Sequence, residues 1–386
     1  MFMREIETVA DALEWFESDD PTKDDPPKDD SSYRTPVSGK ESLADCGFEG
    51  SYYEQNNRPQ KYEPDSSPKA WKHFLRFYSD FLSTLHSKET TFRYYSKTSN
   101  NNHYTSPVLC LDSGYRLVAV PEGYTTIRKQ DTLINVSRVE RLGGDCDFNF
   151  NKDKCPRFVR YLLGLSSEGE VDLDEFFKQF KQAENDQAEN EQAENEQEKN
   201  GIRKLLYYCH KMHHTLLNFS LMQCSGAMQL VKQNLDRDRV DRLIFFINRF
   251  YIFNDSKVLS RATNDAYKAD LMHYLVSIVD NILPTNKIYQ YCAKIYFLPT
   301  HGFPTGKMME KDSAFQQLDD DSKYKWDTLL TRNKHLIDDL IASGEKFMDT
   351  YERVKEYMLL AVRFWQAKET YFTLMDAILK DAKKNE

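Results

Sequence analysis

The chain has 386 residues, 40% hydrophobic and 13% aromatic, with a formal net charge of −9. No stretch approaches the roughly 18 uncharged apolar residues of a membrane span, and seven widely spaced cysteines without a CxxC pair fit free thiols better than a disulfide framework. The charge is uneven: residues 1–66 carry 7 Lys+Arg against 17 Asp+Glu, residues 183–200 carry 1 against 7, and the remainder is net +7. The acid therefore falls in tracts too polar to offset chain entropy, and the body that folds is mildly basic.

The start, "MFMREIETVADALEWF", is charged and amphipathic and does not read as a secretory signal. Together with the free thiols it implies a cytoplasmic protein without membrane association. Residues 3–17 predict a short helix with Ile6, Val9, Ala10, Leu13 and Phe16 on one face. From 18 to 66 the Asp-, Pro-, Ser- and Asn-rich chain predicts disorder, so residues 1–66 form a mostly disordered acidic segment. Residues 67–182 read as an α+β part. Ser67 as N-cap and Pro68 at the first helical position open a strongly amphipathic helix through Leu85. "VLCL-DSG-YRLVAV" (108–120) predicts a β-hairpin ending before Pro121, "TLINVSRV" (132–139) a third strand, and 156–182 further helix. Residues 92–104, mixing basic and aromatic side chains, read as an exposed loop before the hairpin.

"AENDQAENEQAENEQ" repeats a five-residue unit that presents no constant helix face, which makes 183–200 an acidic low-complexity linker. Residues 201–386 then form a helical domain. Val240, Leu243, Ile244, Ile247, Phe250 and Tyr251 make one apolar stripe, with Arg239, Arg242 and Arg249 off it. Two long helices meet near Gly344. The first carries Trp326, Leu329, Leu330, Leu336, Ile337 and Leu340, and the second runs from Phe347 through Tyr351, Val354, Met358, Ala361, Trp365, Phe372 and Met375. Ile295–Leu298 reads as a strand. The fold class expected is mainly α, α+β overall, with a small antiparallel β element in the N-terminal part.

The densest chemistry is "YYCHKMHH" (207–214). If 203–222 is one helix, Arg203, Tyr207, His210, His214 and Leu217 share a face, and Cys209, Met212, His213 and Leu216 the neighbouring apolar strip. His210 and His214 stand at i, i+4, but the position where a zinc-hydrolase helix needs Glu holds Lys211, and no acid occurs between Lys199 and Asp236. No metal and no cofactor is expected. Arg203 and His210, six residues between them, resemble the R-x4–6-H signature of the HEPN ribonucleases. That resemblance implies a metal-independent endoribonuclease in which Arg203 neutralises phosphate and His210 moves a proton, with Tyr207 and His214 beside them; Lys204, after the arginine, departs from the family's pattern. Asp145, Asp147, Asn149, Asn151 and Asp153 alternate as in a calcium loop, but Phe150 and Pro156 stand where Gly and Glu are required, so Phe148 and Phe150 read as inward-facing aromatics. "GFPTGK" (302–307) lacks the spacing and the Ser or Thr of a phosphate loop. Arg237, Arg239, Arg242 and Arg249 are the candidate phosphate contacts of a nucleic-acid-binding reading.

"NFSLM" (218–222), "DRVDRLIFFINRFY" (238–251), "YQYCAKIYFL" (289–298) and "EYMLLAVRFWQAKE" (356–369) as an ordered set resemble a widespread group of uncharacterised bacterial proteins, over roughly residues 200–370. The resemblance implies a helix-rich bacterial cytoplasmic protein and supplies no catalytic residue. With no complete catalytic constellation, the expected function is a non-enzymatic binding or interaction protein with a protein partner, an accessory component of a larger system. The HEPN-like ribonuclease and the nucleic-acid binder stand as alternatives.

Overall fold

The structure is a computed structural model, which describes residues 5–17, 92–99, 102–110, 118–119, 126–129, 132–135, 141–150, 194–212, 216–223, 227–233, 239–301, 319–348 and 350–384. The expected disordered tract from residue 18, the helix opened by Ser67 and the helical stretch 156–182 lie outside these residues. The described chain is mainly α. A sheet built mostly from the N-terminal half is joined to a body of packed helices.

The first helix, α1 (Val9–Glu17), is shorter than its apolar pattern predicts because a capping box starts it. Thr8 Oγ1 accepts from the Asp11 N–H (3.2 Å), and the Asp11 carboxylate accepts from the Thr8 N–H (2.9 Å). The buried residues are Ile6, Ala12 and Trp15, while Ala10 is exposed, so the packed face is rotated from the one expected.

Residues 92–99 are not a loop. They form β1 (Phe92–Ser99), paired antiparallel with β2 (Asn102–Cys110) from Phe92↔Leu109 to Ser99↔Asn102. The predicted hairpin is present as β2 against β3 (Val118–Ala119), with Leu109 opposite Ala119. The predicted third strand is β5 (Thr132–Asn135), but it pairs in a separate two-stranded ladder with β4 (Thr126–Lys129). The main sheet continues from β3 to β6 (Arg141–Cys146) in parallel and from β6 to β7 (Phe219–Gln223) antiparallel, giving the order β1-β2-β3-β6-β7. It is thus mixed, and its last strand comes from beyond the acidic tract. The two sides of that tract share one sheet.

Helix α2 (Glu194–Lys211) begins inside the acidic tract and stops well before residue 222. A 3₁₀ turn (Leu216–Asn218) and β7 follow, so the single helix expected over 203–222 is corrected to helix, turn and strand. The short α3 (Ala227–Gln233) leads to α4 (Val240–Phe253), whose predicted stripe is buried throughout. Then come α5 (Lys257–Ser260), α6 (Asp265–Ser277), capped by Asn264 accepting from the Tyr267 N–H (2.9 Å), and α7 (Pro284–Tyr296), with Pro at its first position. Ile295–Leu298 is accordingly not a strand: it is the last turn of α7 and its cap. Phe297 closes the helix at φ 55°, a costly conformation for a bulky residue, with its ring stacked on Tyr371 in the core.

The two long helices are α8 (Asp320–Glu345) and α9 (Tyr351–Lys384). All six predicted core residues of α8 are buried, but Phe347 lies before α9 starts and is 60% exposed. The end of α8 is held to the start of α4 by the buried Arg239–Asp241 pair (2.6 Å). Arg239 donates to the terminal carbonyls of Ser343 (3.1 Å) and Lys346 (3.0 Å), and Ser343 Oγ donates to Asp241 (2.8 Å). Gly344 makes this approach possible, because a Cβ there would overlap the Asp241 carbonyl oxygen and lie 2.6 Å from Phe245 Cβ. Gly344→Ala is expected to cost about 3 kcal/mol by overpacking. Urea unfolding checks it, and wild-type stability would mean that the helices do not meet this closely.

Candidate functional site

His210 sits in the last turn of α2, its ring Nδ1 3.0 Å from the carbonyl oxygen of Phe150. A carbonyl only accepts, so this contact places the proton on Nδ1 and presents Nε2 as the basic nitrogen. Arg203, Tyr207 and His210 are all half-buried on successive turns of one helix face, as their spacing predicts. The neighbouring strip is buried at Cys209 and Met212, and burial pushes the Cys209 thiol well above its ordinary range, so that it is neutral and a poor metal ligand. His213 and His214 lie outside the described residues. Leu217, expected on the histidine face, is buried in the 3₁₀ turn instead. Among the described residues no group of three or more His, Cys, Asp or Glu is placed to hold a metal.

The calcium-like alternation resolves differently. Phe148 and Phe150 are fully buried against Tyr357 and Trp365, facing inward as expected. Asp147, just before Phe148, is equally buried and faces Lys368 of α9 (2.8 Å). Lys368 Nζ also donates to Ser220 Oγ (2.8 Å) and the Phe219 carbonyl (3.1 Å), and Ser220 Oγ–H donates to Asp147 (2.7 Å). Burial lowers the Lys368 pKa, and the facing carboxylate opposes that shift. Asn218 completes the junction. Its amide nitrogen donates to the Phe148 carbonyl (2.9 Å), while its oxygen accepts from the Phe148 N–H (2.8 Å) and from Trp365 Nε1 (3.1 Å). A Ser–Lys–Asp set at these distances has the parts of an activated nucleophile. However, Ser220 is fully buried, so the set serves as a structural core. Sequence spacing does not reveal it, since its members stand at 147, 220 and 368.

Of the arginines proposed as phosphate contacts, the three that are described are engaged within the protein. Arg239 is buried in its pair with Asp241, which corrects its expected place on the surface. The Arg242 guanidinium lies over the rings of Phe347 (5.1 Å) and Phe246 (5.9 Å). Arg249 pairs with Asp255 (2.8 Å) and lies over Phe245 and Phe253. Arg237 lies outside the described residues.

A second surface was not legible in the sequence. Phe253, in the last turn of α4, is 69% exposed, and Val276 of α6 is 61% exposed. They line a cleft of about 380 Å³ with Phe250, Tyr251, Ile252, Asn254 and Lys287. Met272 lies one turn before Val276 and Leu283 one turn before Lys287, both exposed, so the apolar surface extends past the cleft. Asn254 at φ 51° ends α4 here, and the left-handed cap leaves Phe253 at the rim.

No protein-family model, curated protein or solved structure matches the chain.

Removing one member of a buried ion pair strands the other, at a cost of about 3–5 kcal/mol, whereas replacing both by apolar residues is often nearly neutral. Lys368→Met is therefore expected to lose about 3–5 kcal/mol in chemical denaturation. Adding Asp147→Leu should recover most of that loss. A double variant worse than the sum of the singles would rule out the pair as the centre of the junction.

Proposed function

We propose that the chain is a non-enzymatic interaction protein of the bacterial cytoplasm, an accessory component that binds a protein partner through the apolar surface around Phe253 and Val276. The observation that carries this reading is the exposure of Phe253 and Val276 in the lining of one cleft, with Met272 and Leu283 exposed one turn before Val276 and Lys287. Scattered exposed apolar residues are ordinary, but a contiguous group around a cleft is the form of an interface core. Lys287 gives the cleft a cation and no lining residue is acidic, which favours a partner with a carboxylate beside an apolar side chain. Among the described residues no helix is long and apolar enough to cross a membrane.

A photo-crosslinking residue placed at Phe253 in the full chain is expected to capture a discrete partner in cells. Val276→Asp should weaken capture roughly thirtyfold, the scale of an interface hot spot, while changing stability by less than about 0.5 kcal/mol. Absence of any specific adduct from position 253, with adducts elsewhere on the surface, would sink this reading.

One observation favours the ribonuclease as a second reading: the Phe150 carbonyl fixes the tautomer of His210 and turns the ring, an arrangement suited to proton transfer. Under it, RNA is cut in EDTA by the wild type, and both His210→Ala and Arg203→Ala lower the rate at least about a hundredfold. RNA left intact by folded wild type under all metal conditions removes the reading.

A further inference from the structure

α1 is bound to the body as a ligand is. It lies in a groove between α2 and α9, and residues 18–91 separate it from β1. Phe16 stacks on Tyr208 of α2 (4.8 Å, 12° between planes) and meets Trp365 of α9 edge-on (6.3 Å). Trp15 is buried, and its indole N–H donates to Glu369 (2.8 Å). Gly201 forms the floor, where a Cβ would touch Val9 at 3.4 Å. Glu17 pairs with Lys204 (2.6 Å), but both side chains are largely exposed, so this bridge adds little hold.

We propose that α1 is a tethered, reversible occupant of this groove, and that the groove accepts in trans a short amphipathic helix bearing an adjacent Trp–Phe pair. The proposal is independent of the surface at Phe253. A nine-residue helix is too short to persist alone in water, so α1 holds its shape only through its capping box and the groove. Ile6 and Trp15 are its two large buried side chains, with Val9, Leu13 and Phe16 only partly buried against the core, and these contacts must offset the entropy of ordering the whole segment 5–17. Because α1 belongs to the same chain, it competes for the groove intramolecularly, and a helix added in trans has to displace it. The surface uncovered carries Tyr208 and Trp365, the aromatic types that dominate helix-in-groove recognition.

Two measurements on the full chain test this. Hydrogen exchange of the wild type is expected to show amides of 9–17 exchanging at least about a hundredfold faster than those of 243–251 in the core of α4. A fluorescent peptide of residues 5–17 is expected to bind the Trp15→Ala/Phe16→Ala variant at least about tenfold more tightly than the wild type, because the tethered competitor is weakened. A scrambled peptide should bind neither. Exchange of α1 at the core rate overturns the proposal, as does a peptide that binds both proteins equally or fails to bind the variant. A variant that no longer folds also overturns it, since α1 would then be an obligatory part of the core.

Discussion

The ammonium of Lys368 is fully buried, and nearly everything around it is arranged to make that tolerable. A buried charge is stable only when paired and surrounded by hydrogen-bond partners. Asp147 supplies the pairing, and Ser220 and the Phe219 carbonyl supply the remaining acceptors. These groups come from three distant parts of the chain, so the pair forms only when all three meet. The same convergence brings Phe148 and Phe150 onto Tyr357 and Trp365, and it places the Phe150 carbonyl where His210 meets it. The two parts of the chain on either side of the acidic tract, residues 183–200, thus share one core. Apolar residues of the same volume would pack here with less penalty. The ionic version has a sharper requirement, since a shift that parts Lys368 from Asp147 strands both.

The helical stripes were legible because burial writes itself into sequence at a period of 3.6 residues. Leu243, Ile244 and Ile247, and Leu336, Ile337 and Leu340, are all buried as that period predicts. That the two β-rich runs on either side of residues 112–114 pair was legible from their composition, but their register, with Leu109 opposite Ala119, was not. Failures fall where one local signal was overruled by another. Ile295–Leu298 has the β-branched and aromatic composition of a strand, but Pro284 starts a helix upstream that runs through Tyr296. The expected face of α1 included Ala10, and the Thr8–Asp11 cap and the fit of Trp15 rotated it. β1 looked like a loop because it mixes the basic Arg93 and Lys97 with Tyr94 and Tyr95, and its pairing with β2 is a property of neither strand alone. The Asp147–Lys368 junction left no local trace at all. It is a contact across 221 positions, and spacing rules reach only across a few turns.

For the candidate sites, the sequence supplied residue types and withheld burial. The half-burial of Arg203, Tyr207 and His210 follows from the amphipathic phase of α2. The orientation of the imidazole does not, because the acceptor that fixes it stands 60 positions away. Arg239 shows the reverse case. Its place off the apolar stripe suggested solvent, yet a guanidinium can cap the carbonyls at the end of another helix, and here it does so beside Asp241. Arg242 and Arg249 lie over aromatic rings, which lowers their availability to phosphate without removing their charge.

The outward face of α6 carries the strongest tension between pattern and environment. Leu271, Tyr274 and Leu275 face the core, yet Met272 and Val276 on the other side are apolar as well. A helix apolar on both sides is normally enclosed on both sides. Here the second side opens onto the cleft beside Phe253. An Asn264 cap and an acidic first turn would hold α6 equally well with polar residues at 272 and 276, so its own stability does not call for apolar ones there. The proposed interaction surface would account for apolar residues there, next to a cleft whose one charged lining residue is Lys287. That argument separates this face from the groove between α2 and α9, where the aromatic surface of Tyr208 and Trp365 is already covered by the chain's own α1.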